Sequence, residues 1–339
     1  MIIMKKEFCG DYLKNILFSL EQPYLIIYIT NIFISNINKE EEKRKMNKKC
    51  ISEVASEWLE LKKLSVKYST FVKYEVVVNN HINPYFKGYT IEQMNDDIIL
   101  DFFHMLFNEN KYANSTVMTI KYVLKSINKY IQIKYGEINN SMELIKIVKK
   151  VDKVTTLTNY QKSDLSKYCF SHYKPINIAV LIALYGGLRI GEICALRWEN
   201  INYEEGFIII NKTIERLKSK DTTQKKTTLM VLNPKTPSSK RIVPIPLFLL
   251  EYIKEYQQYI TIKNVEDYIL TNSERIPEPR TTQYRFTKLC NKFGFSIKFH
   301  SLRHSYATNC VMQEIDTKSL SEILGHSSVG TTLNLYVHS

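Results

Sequence analysis

Two arginines, two histidines, a glutamate and a late tyrosine stand in this chain in settings suited to one demanding reaction, breaking a phosphodiester bond without a metal. Arg189 lies in Gly187-Leu188-Arg189-Ile190-Gly191-Glu192 and Arg303 in His300-Ser301-Leu302-Arg303-His304. His326 lies in Leu324-Gly325-His326, ahead of Tyr336. A phosphodiester under attack passes through a five-coordinate phosphorus with extra negative charge on its non-bridging oxygens, so catalysis is mostly positioning plus electrostatic stabilisation. Planar guanidinium forks suit that task because each holds two oxygens at once. Either arginine alone reads more readily as a surface salt bridge; the two together read as a phosphate clamp. Glu192 falls three residues after Arg189 on the same helix face. Its neighbours Ile190, Ile193, Ala195 and Leu196 are apolar, so the carboxylate needs a partner. It is expected to orient Arg189 or a histidine, the alternative being a plain exposed helix charge. A phenol with its pKa near ~10 needs nearby positive charge or a base to act as nucleophile. The chain has 23 tyrosines, so position, not residue type, singles out Tyr336.

A basic stretch lies between the two arginine motifs. From 212 to 241 stand Lys212, Arg216, Lys218, Lys220, Lys225, Lys226, Lys235, Lys240 and Arg241, against Glu215 and Asp221. Lys235, in Asn233-Pro234-Lys235-Thr236-Pro237, lies within it, with Lys225 and Lys240 in the same stretch. Neighbouring positive charge favours its giving up a proton. His300 and His304 are four apart, as in zinc-binding helices. The segment lacks the glutamate of that motif, and Arg303 within it would repel a cation. No metal is expected, and His304 reads as a packed or capping residue.

The elements that must hold these residues divide the chain. From about 50 to 142 only helical patterns occur. Val54, Trp58, Leu59 and Leu61 make one stripe, and Ser69 to His81 a second segment closed by Asn83-Pro84. Asp96 to Phe107 follows, then a long segment with Ser115 as its expected N-cap and apolar residues from Val117 to Ile131 at three-and-four spacing. Residues 143–158 read as a linker. Beyond it, Ile176 to Tyr185 is an apolar helix stopped by Gly186-Gly187, and a short helix spans about Ile190 to Leu196. Phe207–Ile210, Thr228–Leu232 and Arg241–Val243 are strand-like. Helices resume at Leu247–Tyr259, Thr281–Phe293, Ser301–Met312, Thr317–Leu324 and Val329–Tyr336. The fold class is therefore mostly α: a helical N-terminal bundle at 46–150, then an α+β domain at 158–339 with one small antiparallel sheet.

Bulk properties agree. With 339 residues and 44% hydrophobic content the chain can bury two cores. A formal net charge of +13 fits an anionic partner, double-stranded DNA foremost. Six scattered cysteines without CxxC spacing suggest neither zinc nor a disulfide framework, and point to a reducing cytoplasm. The apolar stretch 24–35 is shorter than the ~20 residues that span a bilayer and lacks a cleavage site, so no membrane association is expected. Because domain patterning begins only after Met46, residues 1–45 read as an N-terminal extension.

Ala183-Leu184-Tyr185-Gly186-Gly187-Leu188-Arg189-Ile190-Gly191-Glu192, then His300-Ser301-Leu302-Arg303-His304, then Leu324-Gly325-His326 and Tyr336, resemble in that order the motifs of the tyrosine recombinases, or phage integrase family. The resemblance covers about 158–336; the first domain matches only in character, as a helical, SAM-like core-binding module. It implies site-specific DNA cleavage and rejoining through a 3′-phosphotyrosine on Tyr336. Arg189, Arg303 and His326 would stabilise charge, His300 would assist proton transfer, Lys235 would protonate the leaving 5′ oxygen and Glu192 would orient. It also implies a homotetramer on two DNA sites, no cofactor, action at the bacterial nucleoid, and accessory proteins in some settings. Three residues follow Tyr336, whereas many relatives carry a longer tail that docks on a neighbour. Either subunits meet through other contacts or the C-terminus is shortened. Integration or excision of a mobile element is the leading role. Dimer resolution, type IB topoisomerase-like relaxation and a non-catalytic DNA-binding regulator are the alternatives.

Overall fold

The computed structural model describes residues 31–37, 48–108, 112–136, 142–143, 145–148, 155–219, 226–234, 239–326 and 328–336. The chain divides into two compact units, residues 1–150 and 151–339. Among the described residues no helix is long and apolar enough to cross a membrane.

In the first unit, α1 (Ile51–Ser65), α2 (Tyr68–Val77), α3 (Asp96–Asn108) and α4 (Asn114–Tyr135) enclose a core of Val54, Trp58, Phe86, Phe102, Ile120 and Ile127. These are the apolar stripes of the sequence turned inward. Glu57 fastens α1 to α4: it accepts hydrogen bonds from Lys134 Nζ at 2.8 Å, Tyr135 Oη at 2.6 Å and Tyr130 Oη at 3.1 Å, and pairs with Lys49. Three expectations need correction. Ser115 is not an N-cap, since α4 starts one residue earlier behind Ala113, which has no side-chain cap bond. The second helix is not closed by Asn83-Pro84. It passes through a π turn at Val78–Ile82 and resumes at Asn83–Tyr85. Pro84 falls directly behind the π turn, where the hydrogen-bond ladder changes register. The start of the expected linker is not free chain either, because Ile145 is buried against this core.

The second unit is built around α6 (Pro175–Gly186), whose residues from Asn177 to Leu184 are all buried. A helix apolar on every side belongs inside. It packs against α5 (Asn159–Phe170), α8 (Leu247–Ile260), α9 (Pro279–Lys292) and α10 (His300–Met312), and leads into the short α7 (Ile190–Ala195). The strands form two sheets where one was expected. β1 (Ile201–Asn202), β2 (Phe207–Ile210) and β5 (Arg241–Pro244) make an antiparallel sheet in the order β1-β2-β5, with Ile208 opposite Val243. β3 (Thr213–Lys218) and β4 (Thr227–Leu232) pair separately, with Thr213 opposite Leu232. β3 escaped the sequence reading because only Ile214 in it is buried, so no alternation marks it. Helix α5 was assigned no element. Its polar sequence hides a narrow buried edge of Leu165, Ser166 and Cys169, and Thr158, read as linker, is its N-cap in a reciprocal capping box with Gln161. The last elements are α11 (Thr317–Leu324) and α12 (Val329–Tyr336), and α12 packs on α10 and α11.

Candidate active site

Four chain segments meet at one place: the turn between α6 and α7, the start of β5, the first turns of α10, and the α11–α12 connection. Two glycines make the close approach feasible. Gly187 ends α6 in the left-handed region at φ +67, and a Cβ there would lie 2.4 Å from the Tyr306 ring. Gly325 ends α11 at φ +64, and a Cβ there would lie 3.1 Å from the Arg241 guanidinium. Only glycine combines such a φ with so little room.

Arg189 is the N-cap residue of α7. Its backbone N–H donates to Glu192 Oε2 at 2.8 Å, its Nη1 to Glu192 Oε1 at 2.9 Å and its Nη2 to the Gly325 carbonyl at 3.1 Å. Its side chain keeps 36% of its surface, whereas that of Glu192 keeps 6%. The carboxylate also receives Arg241, whose Nη1 reaches Oε1 at 3.0 Å and whose Nη2 reaches Oε2 at 2.9 Å. Burial alone would raise the Glu192 pKa, but the Arg241 hydrogen bonds and charge, with help from Arg189, outweigh it and hold the group down at about 2. The bonds of Glu192 thus go to Arg189 and Arg241.

Arg303 is almost wholly buried. Its Nη1 donates to the Gly187 carbonyl at 2.7 Å and its Nη2 to the Leu324 carbonyl at 2.6 Å. Burial first, and then the like charge of Arg189, weigh against its cationic form, yet an arginine stays charged in proteins. Five N–H groups in a fixed fork let it brace two carbonyls and still offer donors to an anion. His326 is half-buried, with Nδ1 2.8 Å from Thr332 Oγ1. Burial, then Arg303, Arg189, Arg241 and His300, push its pKa down to about 4. His300 opens α10 with its ring edge-on to His304, centroids 4.6 Å apart. Crowding by the surrounding protein, then His304, Arg303 and Arg189, bring it likewise to about 4. Both imidazoles are thus neutral at neutral pH. The mutual influence of these groups puts Arg189, Arg303, His300 and His326 near one another.

Arg189, Glu192, His300, Arg303 and His326 are brought together from stretches well separated in sequence. Tyr336 is the last residue of α12, and its side chain is outside the described residues. Lys235 also lies outside them. His304 is a packed residue, partly buried against His300. Two participants were overlooked. Arg241 had been counted only as part of a basic stretch, yet its side chain is 5% exposed and its Nε also donates to the Ile323 carbonyl. A cation opening a strand whose next residues are Ile242 and Val243 was the available signal. Thr332 is fully buried, and nothing in its neighbourhood in sequence marked it.

Positive charge ringing a solvent-accessible guanidinium, with neutral imidazoles beside it, can bind an anionic oxygen cluster and relay protons without a metal. A model described as the phage integrase family matches residues 149–339, and one described as the phage integrase N-terminal SAM-like domain matches 50–107. The chain belongs to the phage integrase family. These are the tyrosine recombinases, enzymes that cleave and rejoin DNA strands. A relative named tyrosine recombinase XerC-like, from Caldanaerobacter subterraneus subsp. tengcongensis, is 27% identical over 83% of this chain and 77% of its own length. The transposase from transposon Tn916 of Enterococcus faecalis is 28% identical over 68% of this chain and 60% of its own length. The chain spans about half, 47–48%, of the archaeal relatives named tyrosine recombinase XerA. In fold, it is similar to the Tn1549 transposon integrase bound to transposon right-end DNA, with a TM-score of 0.71 at 18% identity over 86% of this chain and 96% of that one.

Proposed function

We propose that this integrase-family protein is a site-specific recombinase that moves a mobile element into or out of DNA. In the reaction, the Tyr336 hydroxyl attacks the scissile phosphorus, and the bond to the 5′ oxygen breaks as the phosphotyrosine bond forms on the 3′ side. The leaving 5′ oxygen takes a proton from Lys235, and His300 assists removal of the phenolic proton. Arg189 and Arg303 hold the non-bridging oxygens, and His326 donates to one of them through its single N–H. A 5′ hydroxyl from the partner strand then reverses the steps. The phosphotyrosine conserves the bond energy, so the scheme calls for no metal and no nucleotide. Exchange between two duplexes cuts four strands with one nucleophile per chain, which leads to a tetramer on two sites. The units at 46–150 and 158–339 would each contact the duplex, with phosphate contacts giving most of the affinity. Work on chromosomal DNA would place the protein in the cytoplasm, at the nucleoid.

The observation that carries this reading is the Glu192 carboxylate shared by Arg189 and Arg241 beside buried Arg303. It orients one cation toward solvent while keeping the cluster neutral enough to fold. Similarity to the Tn916 transposase supports the mobile-element role. Similarity to the XerC-like recombinase supports a second reading, resolution of chromosome or plasmid dimers. The test uses nicked duplexes spanning the ends of the element that carries the gene. The protein should form a covalent adduct that survives denaturant, and Tyr336→Phe should bind equally well and form none. An adduct from that variant refutes the nucleophile. Recombination only between copies of a chromosomal or plasmid site would decide for the second reading.

A further inference from the structure

The contact between His326 and Thr332 joins two parts of the site that have to be ready together. The His326 backbone N–H is tied to the Ser321 carbonyl at 3.0 Å, just past the left-handed Gly325. The ring is then held at Nδ1 by the hydroxyl of Thr332 at 2.8 Å. Thr332 is 0% exposed and sits on α12, four positions before Tyr336. Positions four apart share a helix face. Elsewhere in the chain Thr119 and Thr287 bond the carbonyl four residues earlier in their own helices. Thr332 reaches out of its helix to the histidine.

The bond matters because a neutral imidazole has one N–H and one lone pair. If Nδ1 carries the proton, it donates to Thr332 and Nε2 presents a lone pair that would repel a phosphate oxygen. If the Thr332 hydroxyl donates to Nδ1, the proton is on Nε2, free to donate. Arg303, Arg189, Arg241 and His300 all bear on this ring and disfavour its doubly protonated form, so the choice of tautomer is not bypassed by a second proton. Resting on the recombinase reading, we propose that Thr332 is a positioning residue: its hydroxyl donates to His326 Nδ1, presents Nε2–H to the scissile phosphate, and makes His326 competent only while the nucleophile helix α12 is seated.

The experiment is a double-mutant cycle on the full-length chain. Single-turnover adduct formation on a nicked duplex would be followed for the wild type, T332V, T332S, H326A and H326A/T332V, with DNA affinity measured in parallel. Loss of one hydrogen bond of this kind corresponds to about a tenfold slowing. T332V should slow cleavage by about tenfold without weakening DNA binding, and T332S should restore it. In the H326A background T332V should have no further effect. An equal loss in both backgrounds overturns the proposal, because Thr332 would then act only in packing. If T332V melts early, T332A replaces it in the same cycle. A second readout does not depend on turnover. Ring-nitrogen chemical shifts should show His326 protonated at Nε2 in the wild type and a mixture in T332V; a wild-type proton on Nδ1 overturns the proposal. Absence of any adduct from the wild type would sink the recombinase reading instead, and the shifts would still decide the role of Thr332.

Discussion

Replacing Glu192 by glutamine keeps shape and removes charge from the middle of the cluster, so it isolates what that charge contributes. In the folded chain the carboxyl titrates near 2, against a usual value of 4.5. At about 1.4 kcal/mol per pH unit, that gap makes the ionised group worth about 3 kcal/mol to folding. The side chain is 6% exposed, so little of this is screened away by solvent, and the figure agrees with the ~3–5 kcal/mol cost of breaking a buried ion pair. The sign follows from linkage. A depressed folded pKa stabilises above the unfolded value, and the contribution is lost as pH falls through the folded one. Wild type and E192Q should therefore differ by about 3 kcal/mol at pH ~7, and the difference should shrink between pH 4.5 and about 2, where both side chains become neutral. Urea denaturation of both proteins across that range measures it. Glu57 titrates near 2 as well, but it is common to both chains and cancels in the difference. A gap that stays constant with pH, or one below ~1 kcal/mol at neutrality, would refute the view that Glu192 is ionised and holds the two arginines together.

Three further outcomes follow from the same geometry. Arg189→Lys should keep DNA affinity yet slow adduct formation by about a hundredfold or more, because an ammonium cannot span two phosphate oxygens; near-normal single-turnover rates would count against the clamp. Gly187→Ala should cost about 2–4 kcal/mol in denaturant titration, since the new methyl meets the Tyr306 ring at a left-handed φ. An unchanged midpoint would mean the turn readily relaxes. Acid should weaken the fold as pH drops from 6.5 to about 4, the interval in which the unfolded chain takes up protons that His326 refuses when folded. His300 refuses protons over the same interval, so His326→Asn should remove only part of that slope, and an unaltered curve would show that His326 contributes none of it.

Local chemistry in the sequence settled the division into a helical unit and an α+β unit. Long stripes such as Val117 to Ile131 admit one period, and the wholly apolar Ile178–Leu184 can only be interior. Arg189, Glu192, His300, Arg303 and His326 were singled out because each sits in a motif that resembles those of the tyrosine recombinases, in the same order. Where local signals were weak, the reading failed. β3 is charged and lies half in solvent, α5 shows only a narrow buried edge, and Pro84 falls directly behind a π turn. Arg241 and Thr332 belong to a different class. Arg241 carries one faint mark, a cation opening an apolar strand, and Thr332 none. The role of Arg241 comes from burial against Glu192, distant in the chain, and that of Thr332 from reaching back across the α11–α12 connection to His326. Which residues carry charge and which face is apolar can be read along the chain, because side-chain chemistry and backbone period are local. Which charge neutralises which, and which hydroxyl selects a tautomer, is decided only when separate segments exclude water together and each buried polar group must find its partner in space.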